Sequence, residues 1–361
     1  MPRLPVIAIV AGGTGGHVMP ALAVADQLTR EGYAVHWFGT RRGLETQLVP
    51  QRGYPLTQLS LSGFRGKPGW ARFVGGVGLV VALIRSGWVL RRLRVDAVLG
   101  MGGYASVATG LAAWASRRPL LIHEQNAVAG WANRLLRPLA HRVFTAFPGV
   151  FPPGPRVFEV GLPVRSEIRS LESPRIRFAQ RPETRRLLVL GGSQGAKRLN
   201  EVVPRVLALW PAPLSVIHQS GSERVEETER AYRQGSLAAQ VVAFLDDIAQ
   251  AYAWADLVIA RAGASTIAEL AAAGLPSILI PYPHAADDHQ THNARYLVER
   301  GAARLIPDPE LDTETLLRAL RELLRDRREL LRMAEAARAA AHPGAVEAIV
   351  AGIREAVESR S

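Results

Sequence analysis

The chain has 361 residues, enough for two domains of ordinary size, and its 48% hydrophobic and 21% charged content is that of a globular protein. It contains no cysteine, which excludes a disulfide framework, a thiol nucleophile and a thiolate metal site. The formal net charge is +12, and Lys67 and Lys197 are the only lysines among 44 basic residues; with no zinc-finger spacing, base-stacking strand or helix-turn-helix, an anionic partner would be a diphosphate or an acidic lipid, not nucleic acid, and a plain compositional bias is the alternative.

Residues 1–5 lead straight into an apolar run, 6–10, too short for a helix, and nothing here has the basic region, long apolar core and cleavage site of a signal peptide. A cytoplasmic protein is expected. The spacing predicts a helix over 18–29 and strands at 34–38, 97–99 and 120–123. A second series begins with a strand at 185–190 and a helix from about 196. It continues with strands at 214–219, 241–244, 257–260 and 277–280. Continuous apolar strands separated by helices imply an α/β fold with parallel sheets covered on both faces, here two Rossmann-like domains. Pro148, Pro152, Pro153, Pro155 and Pro163 punctuate the approach to a boundary near 161–165, giving domains 1–163 and 164–343. Residues 170–186 are polar and poorly periodic. Residues 309–341 have the pattern of two charged amphipathic helices, Pro343 and Gly344 break them, and 345–359 predicts a last helix.

Three glycine-rich turns follow predicted strands. Gly12, Gly13, Gly15 and Gly16 surround Thr14 and precede His17; a helix start there offers free N–H groups and partial positive charge to a diphosphate, and a tight strand-to-helix turn is the plainer alternative. The dinucleotide fingerprint would need glycine at position 18, which is Val18, and no Gly-Lys-Ser/Thr follows to make a P-loop. Gly100, Gly102 and Gly103 with Tyr104 form the second turn, and Gly191, Gly192 and Gly195 the third. Turns at strand C-termini mark the edge where open α/β sheets bind ligands, and two such edges would form a cleft.

The stretch 256–281 predicts a strand, a turn, and a helix capped by Ser265 and ended by Gly274 and Pro276. Glu269, one turn in, could accept both hydroxyls of a ribose or simply complement the helix dipole. His284, Asp287, Asp288, His289, Gln290 and His292 follow, between metal-like spacing and the mixture of acids, amides and histidines that sugar hydroxyls need; the flanking Pro281 and Pro283 favour a rigid sugar-binding loop. In 64–94, Trp70, Phe73, Leu79 and Trp88 belong to an apolar series set among arginines. Its uninterrupted run is far short of the ~20 residues that span a bilayer, so it fits an anionic membrane surface or a core helix with charged ends.

GGTGGH at 12–17, GMGGYAS at 100–106, HEQNAVAGWAN at 123–133, GLPVR at 161–165, GGSQGAKRLN at 191–200, the long segment 244–276 and DDHQTHNA at 287–294 together resemble the MurG family, the undecaprenyl-diphospho-muramoylpentapeptide β-N-acetylglucosaminyltransferases. The resemblance implies two Rossmann-like domains in the GT-B arrangement. The first would bind acceptor and membrane, with residues 344–361 packing back onto it; the second would bind UDP-GlcNAc. It implies an inverting transfer of GlcNAc to the muramyl O4 of lipid I, in peptidoglycan synthesis. It places Thr14, Gly15, Gly16, Asn126, Arg165, Ser193, Leu245, Ala264, Ser265, Thr266, Glu269 and Gln290 around the donor, with Leu245 at the uracil, Glu269 on the ribose and Gln290 on the sugar. His17 is the first candidate for the base and Glu124 the second. Gly12, Gly13, Gly102, Gly103 and Tyr104 would cradle the acceptor diphosphate. Leu162 stands where the family often has asparagine. No cofactor or metal is implied as essential. The expected partners are UDP-GlcNAc, lipid I, the anionic inner leaflet at the cytoplasmic face, and cell-wall or division proteins. A diacylglycerol glycosyltransferase, a UDP-GlcNAc 2-epimerase and a basic membrane scaffold are the rival readings.

Overall fold

The computed structural model describes residues 3–13, 15–61, 69–181, 185–192 and 195–359, with the backbone alone for 69–75. Thr14 and Ser193 lie outside the described residues, as do the side chains of Trp70 and Phe73.

The chain divides into two compact units, Met1–Arg165 with Pro343–Ser361, and Ser166–His342. The first contains β1 (Val6–Val10), α1 (Gly15–Arg30), β2 (Ala34–Thr40), α2 (Glu45–Gln51), β3 (Leu56–Leu59), α3 (Gly69–Arg92), β4 (Ala97–Gly100), α4 (Gly103–Ala115), β5 (Leu120–Glu124), α5 (Trp131–Leu136), β6 (Arg142–Thr145) and β7 (Val157–Glu159). The second contains α6 (Ser166–Arg169), α7 (Pro174–Ala179), β8 (Arg185–Leu190), α8 (Lys197–Leu207), β9 (Leu214–Gln219), α9 (Val225–Gln234), β10 (Ala239–Val242), α10 (Ile248–Trp254), β11 (Leu257–Ala260), α11 (Ala264–Ala273), β12 (Ser277–Leu279), α12 (His289–Val298), β13 (Ala303–Leu305), α13 (Thr313–Arg325) and α14 (Arg327–Ala339). A last helix, α15 (Ala345–Glu358), returns to the first unit.

Both sheets are parallel throughout, in the orders β3-β2-β1-β4-β5-β6-β7 and β10-β9-β8-β11-β12-β13. The central strands are buried on both faces, which is why they are legible as unbroken apolar runs: Ile7 to Val10, Leu187 to Val189 and Leu257 to Ala260 are sealed from solvent. The strands absent from the sequence reading are β3, β6, β7 and β13. Most of these are edge strands with a polar or exposed side, as in the half-exposed LTQL of β3. The strand expected at 241–244 is β10, two residues earlier, because Phe244 is 60% exposed and stands beyond the sheet. The polar stretch 170–186 contains α7, a helix whose short length leaves no readable periodicity.

Helix α15 inserts Val346, Ile349, Val350, Ile353 and Ala356 into the core formed by β1 and α1. Burying each of its larger aliphatic side chains contributes roughly 1.5–3 kcal/mol. The approach to β6 is close: a Cβ at Gly352 would lie 2.6 Å from Phe144 Cζ. In the second unit, arginines close the C-terminal end of α11. Arg177 donates to the carbonyls of Ala273 and Gly274, and Arg338 to that of Ala272, so the orphan carbonyls of the last turn meet guanidinium groups. Gly274 itself sits at φ +61, where an L side chain is strained and a Cβ would press on Pro174. Burial, with Arg181 and Arg338 beside it, pulls the Arg177 guanidinium down to about 10.

Candidate functional site

In an open parallel sheet the ligand crevice lies at the C-terminal edge, where neighbouring strands send their connections in opposite directions. That point falls between β1 and β4 in the first unit, and between β8 and β11 in the second. The segments after those four strands are 11–16, 101–104, 191–196 and 261–263, with Thr14, Ser193 and Gln194 outside the described residues.

In the first unit three strand ends converge. His17, in the first turn of α1, lies against the turn after β4: a Cβ on Gly102 would be 3.4 Å from His17 Nε2 and 3.7 Å from Asn133 Nδ2. Gly102 has φ +86 and precedes α4, so glycine serves both the turn and the room for the imidazole. Asn133 links this corner to the end of β5, donating to His123 O at 3.0 Å and Glu124 Oε2 at 2.8 Å. Glu124 is buried and also accepts from the backbone N–H groups of Asn126 (3.1 Å) and Gly130 (2.9 Å). Both its oxygens are therefore engaged in shaping the loop 124–130. Glu124 thereby holds the loop 124–130 in place. His123 is fully buried and bonded to Gly161 O at 2.9 Å; burial first, and the His17 charge in addition, push it down to about 4. It stays neutral at working pH.

The Gly13 N–H is engaged inside the first unit. The Gly13 N–H, expected to face a diphosphate, donates instead to Glu45 Oε2 at 2.9 Å, a carboxylate the sequence reading passed over. Gly12, Gly103 and Tyr104 lie at this edge; the Tyr104 ring packs on Trp131 with centroids 5.2 Å apart and planes tilted by 51°. Asn126 and Arg165 are half-buried in the first unit, which also holds Gly15 and Gly16 at the start of α1; Leu245, Ala264, Ser265, Thr266, Glu269 and Gln290 belong to the second. Leu162, at the position of the family's asparagine, is buried in the apolar interior.

In the second unit, α11 begins at Ala264 with Gly263, not Ser265, at its N-cap. Ser265 is inside the first turn, and its buried hydroxyl has no hydrogen-bond partner among the described residues. Ala264, Ser265 and Thr266 thus present the open N–H groups of a ten-residue helix at the crevice edge. Glu269 follows one turn later, and Tyr252, buried on α10, donates its hydroxyl to Glu269 Oε2 at 3.0 Å. Leu245 is half-buried in the loop between β10 and α10.

Gln290 lies in the first turn of α12, so the expected loop is partly helical; Asp287 and Asp288 precede it at φ +53 and +49. Its Oε1 accepts from Ala262 N at 3.2 Å and Tyr282 N at 2.9 Å, tying together the turns after β11 and β12. With the carbonyl so occupied, the amide can offer only its nitrogen outward. Arg261 reinforces the same junction through Ile280 O, Pro281 O and an ion pair with Asp308. Among the described residues no group of three or more His, Asp or Glu is placed to hold a metal ion.

Comparison with known proteins adds three findings. Residues 7–145 match the glycosyltransferase family 28 N-terminal domain, and residues 186–349 the glycosyltransferase family 28 C-terminal domain. The UDP-N-acetylglucosamine–N-acetylmuramyl-(pentapeptide) pyrophosphoryl-undecaprenol N-acetylglucosamine transferases of Nitrosococcus oceani and Halorhodospira halophila are 50% and 51% identical to the chain, covering 95% of it and 96% of each relative. The crystal structure of MurG from Acinetobacter baumannii superimposes with a TM-score of 0.85 at 38% identity, covering 98% of this chain and 100% of that one. A UDP-N-acetylglucosamine 2-epimerase structure aligns with a TM-score of 0.66 at 15% identity, a likeness of fold alone.

Proposed function

The chain belongs to glycosyltransferase family 28, and from that premise we propose that it transfers N-acetylglucosamine from UDP-N-acetylglucosamine to a lipid-linked pyrophosphoryl-N-acetylmuramyl-pentapeptide. The observation that carries this is identity near 50% over 95% of the chain to transferases named for that reaction. Its two parallel-sheet α/β units are those of the GT-B glycosyltransferases.

In the mechanism we propose, the second unit holds the donor. The N–H groups at the start of α11 receive phosphate oxygens, Glu269 accepts from the ribose hydroxyls, and Gln290 donates its amide to the sugar. The first unit presents the acceptor, and His17 takes the proton of the muramyl O4 as that oxygen attacks C1 of the sugar. The C1–O bond to the diphosphate breaks with inversion, and UDP leaves with charge stabilised by loop N–H groups and Arg165.

Gln290→Glu isolates the role given to the amide. A carboxylate still accepts from Ala262 N and Tyr282 N, so the fold is expected to keep its melting temperature. With no N–H left to donate, the donor KM should rise by about tenfold, the worth of one hydrogen bond. Steady-state kinetics beside a melting curve read both, and an unchanged KM removes Gln290 from sugar recognition.

We further propose that α3 carries the protein to an anionic membrane face. Val77, Val80, Val81, Ile84 and Trp88 are exposed along one side of it, spaced as neighbours on a helix. Arg85, Arg91 and Arg92 flank them, with Arg92 lying 5.0 Å above the Trp88 ring. Leu79 belongs to the other side and packs on the core, so it leaves the patch assigned from sequence. No described helix is long and apolar enough to cross a membrane. Replacing Val80, Ile84 and Trp88 together with glutamine should abolish sedimentation with phosphatidylglycerol vesicles and leave the melting temperature in place; sedimentation equal to the wild type rejects this face.

The experiment for the reaction itself is transfer of labelled sugar from UDP-N-acetylglucosamine to a lipid I analogue, with diacylglycerol, acceptor-free and chelator arms. Transfer to the analogue alone, undiminished by chelator, is expected. Transfer to diacylglycerol, or epimerised donor without acceptor, overturns the assignment.

A further inference from the structure

Asp308 follows β13 through Pro307 and opens a single helical turn, Asp308–Glu310. Strands β11, β12 and β13 are neighbours in the second sheet, so three chain segments leave it side by side: Arg261 after β11, Tyr282 after β12 and Asp308 after β13. Arg261 reaches across the middle segment. Its Nη1 donates to Ile280 O at 3.2 Å and Pro281 O at 3.1 Å, and its guanidinium lies 5.7 Å from the centroid of the Tyr282 ring. It ends in an ion pair with Asp308 Oδ1. The two side chains are 15% and 13% exposed, so water and salt screen the pair little. On the other side of the carboxylate, Arg198 of α8 donates to Leu311 O at 2.8 Å and stands 4.0 Å from Asp308 Oδ2. Among the described residues these two arginines are the side-chain partners of Asp308. A free arginine side chain has many rotamers, and a carboxylate fixed opposite its head selects one.

We infer that Asp308 is a positioning residue for recognition of the donor's sugar, acting through Arg261 on Gln290. The path is short. The carbonyls that Arg261 holds belong to the two residues before Tyr282, and the Tyr282 N–H is one of the two donors that fix Gln290 Oε1. The other donor, Ala262 N, belongs to the residue after Arg261. Arg261 therefore sets the spacing of the two N–H groups that aim the Gln290 amide. Without Asp308 the guanidinium loses its fixed end, the segment 280–282 loses its brace, and the Gln290 nitrogen is no longer held toward the sugar. The turn 261–263 keeps a separate tie, from Asn293 Nδ2 to Ala262 O at 3.2 Å, so the start of α11 and its N–H groups stay in place. The effect falls on the sugar and spares the nucleotide. This deepens the proposed transferase reading and rests on it for the contact between Gln290 and the sugar.

Asp308→Ala is expected to lower the affinity for UDP-N-acetylglucosamine by about tenfold, the worth of the Gln290 hydrogen bond, and to keep the affinity for UDP within about twofold of the wild type. Calorimetry with the two ligands reads both. A merely structural residue would weaken them together. In a Gln290→Glu background, where no amide is left to aim, Asp308→Ala should cause no further loss, whereas the losses of two independent sites would multiply. Asp308→Asn keeps an acceptor for Arg261 without the charge, and should lose about threefold in affinity for the sugar nucleotide. Wild-type affinity for UDP-N-acetylglucosamine in a folded Asp308→Ala protein, an equal fall for UDP, or a further loss on top of Gln290→Glu overturns the proposal. If the alanine variant does not fold, wild-type affinity in Asp308→Asn overturns it. Failure of the transferase reading looks different: the wild type itself would transfer no sugar to the lipid I analogue, while the comparison of the two ligands would still report on Asp308.

Discussion

Replacing His17 with alanine is expected to lower kcat by ~10²–10⁴, the range spanned by a general base. The donor KM should stay within about twofold, because the contacts proposed for the ribose and the sugar lie in the other unit. His17 sits in the first turn of α1, with its ring against Gly102 at the meeting of the turns after β1 and β4. The two other titratable groups of this corner are engaged elsewhere. Both oxygens of Glu124 are taken by loop donors, and His123, held neutral near pKa 4, faces Gly161 O. Near-normal turnover would remove His17 as the base.

Glu269→Ala is expected to raise the donor KM by roughly 10–100-fold, the cost of losing hydrogen bonds to a charged acceptor, and to leave kcat nearly unchanged. The ribose is remote from the bond that breaks, so its contacts are equal in the ground and transition states. The bond from Tyr252 orients the carboxylate through Oε2. Tyr252→Phe removes that orientation but keeps the charge, and should raise the donor KM only a few-fold. Titration calorimetry with UDP checks both. Unchanged affinity in Glu269→Ala would reduce the carboxylate to a surface partner of Tyr252.

What was legible in the sequence follows from burial. The inner strands and the glycine turns were readable because a strand covered on both faces needs an unbroken apolar run and its turn needs glycine. Edge strands such as LTQL of β3 have no such run. Glu45 was missed because nothing local sets it apart from a helix-surface glutamate; its partner Gly13 is 32 positions away, and only the cluster of Gly12, Gly39 and Gly43 hinted that something occupied their missing side chains. The role of Gln290 was suggested by motif, but the reason its amide faces one way lies in two backbone N–H groups from separate turns. Net charge was the least informative signal. Arg177, Arg181, Arg327 and Arg338 are turned onto backbone carbonyls inside the second unit and contribute little to an anion-binding surface. The planar fork of arginine suits that task better than a lysine ammonium, in keeping with the scarcity of lysine.

The return of α15 to the first unit gives the chain an order of assembly. On the ribosome, N-terminal domains ordinarily fold as they emerge. Here the core of β1 and α1 includes Val346, Ile349, Val350 and Ile353, so it stays open until those residues have been synthesised. The second unit ends at His342 and has its whole interior available earlier. The half that emerges first is thus the half completed last, and during translation the apolar face awaiting α15 is the surface most in need of a chaperone.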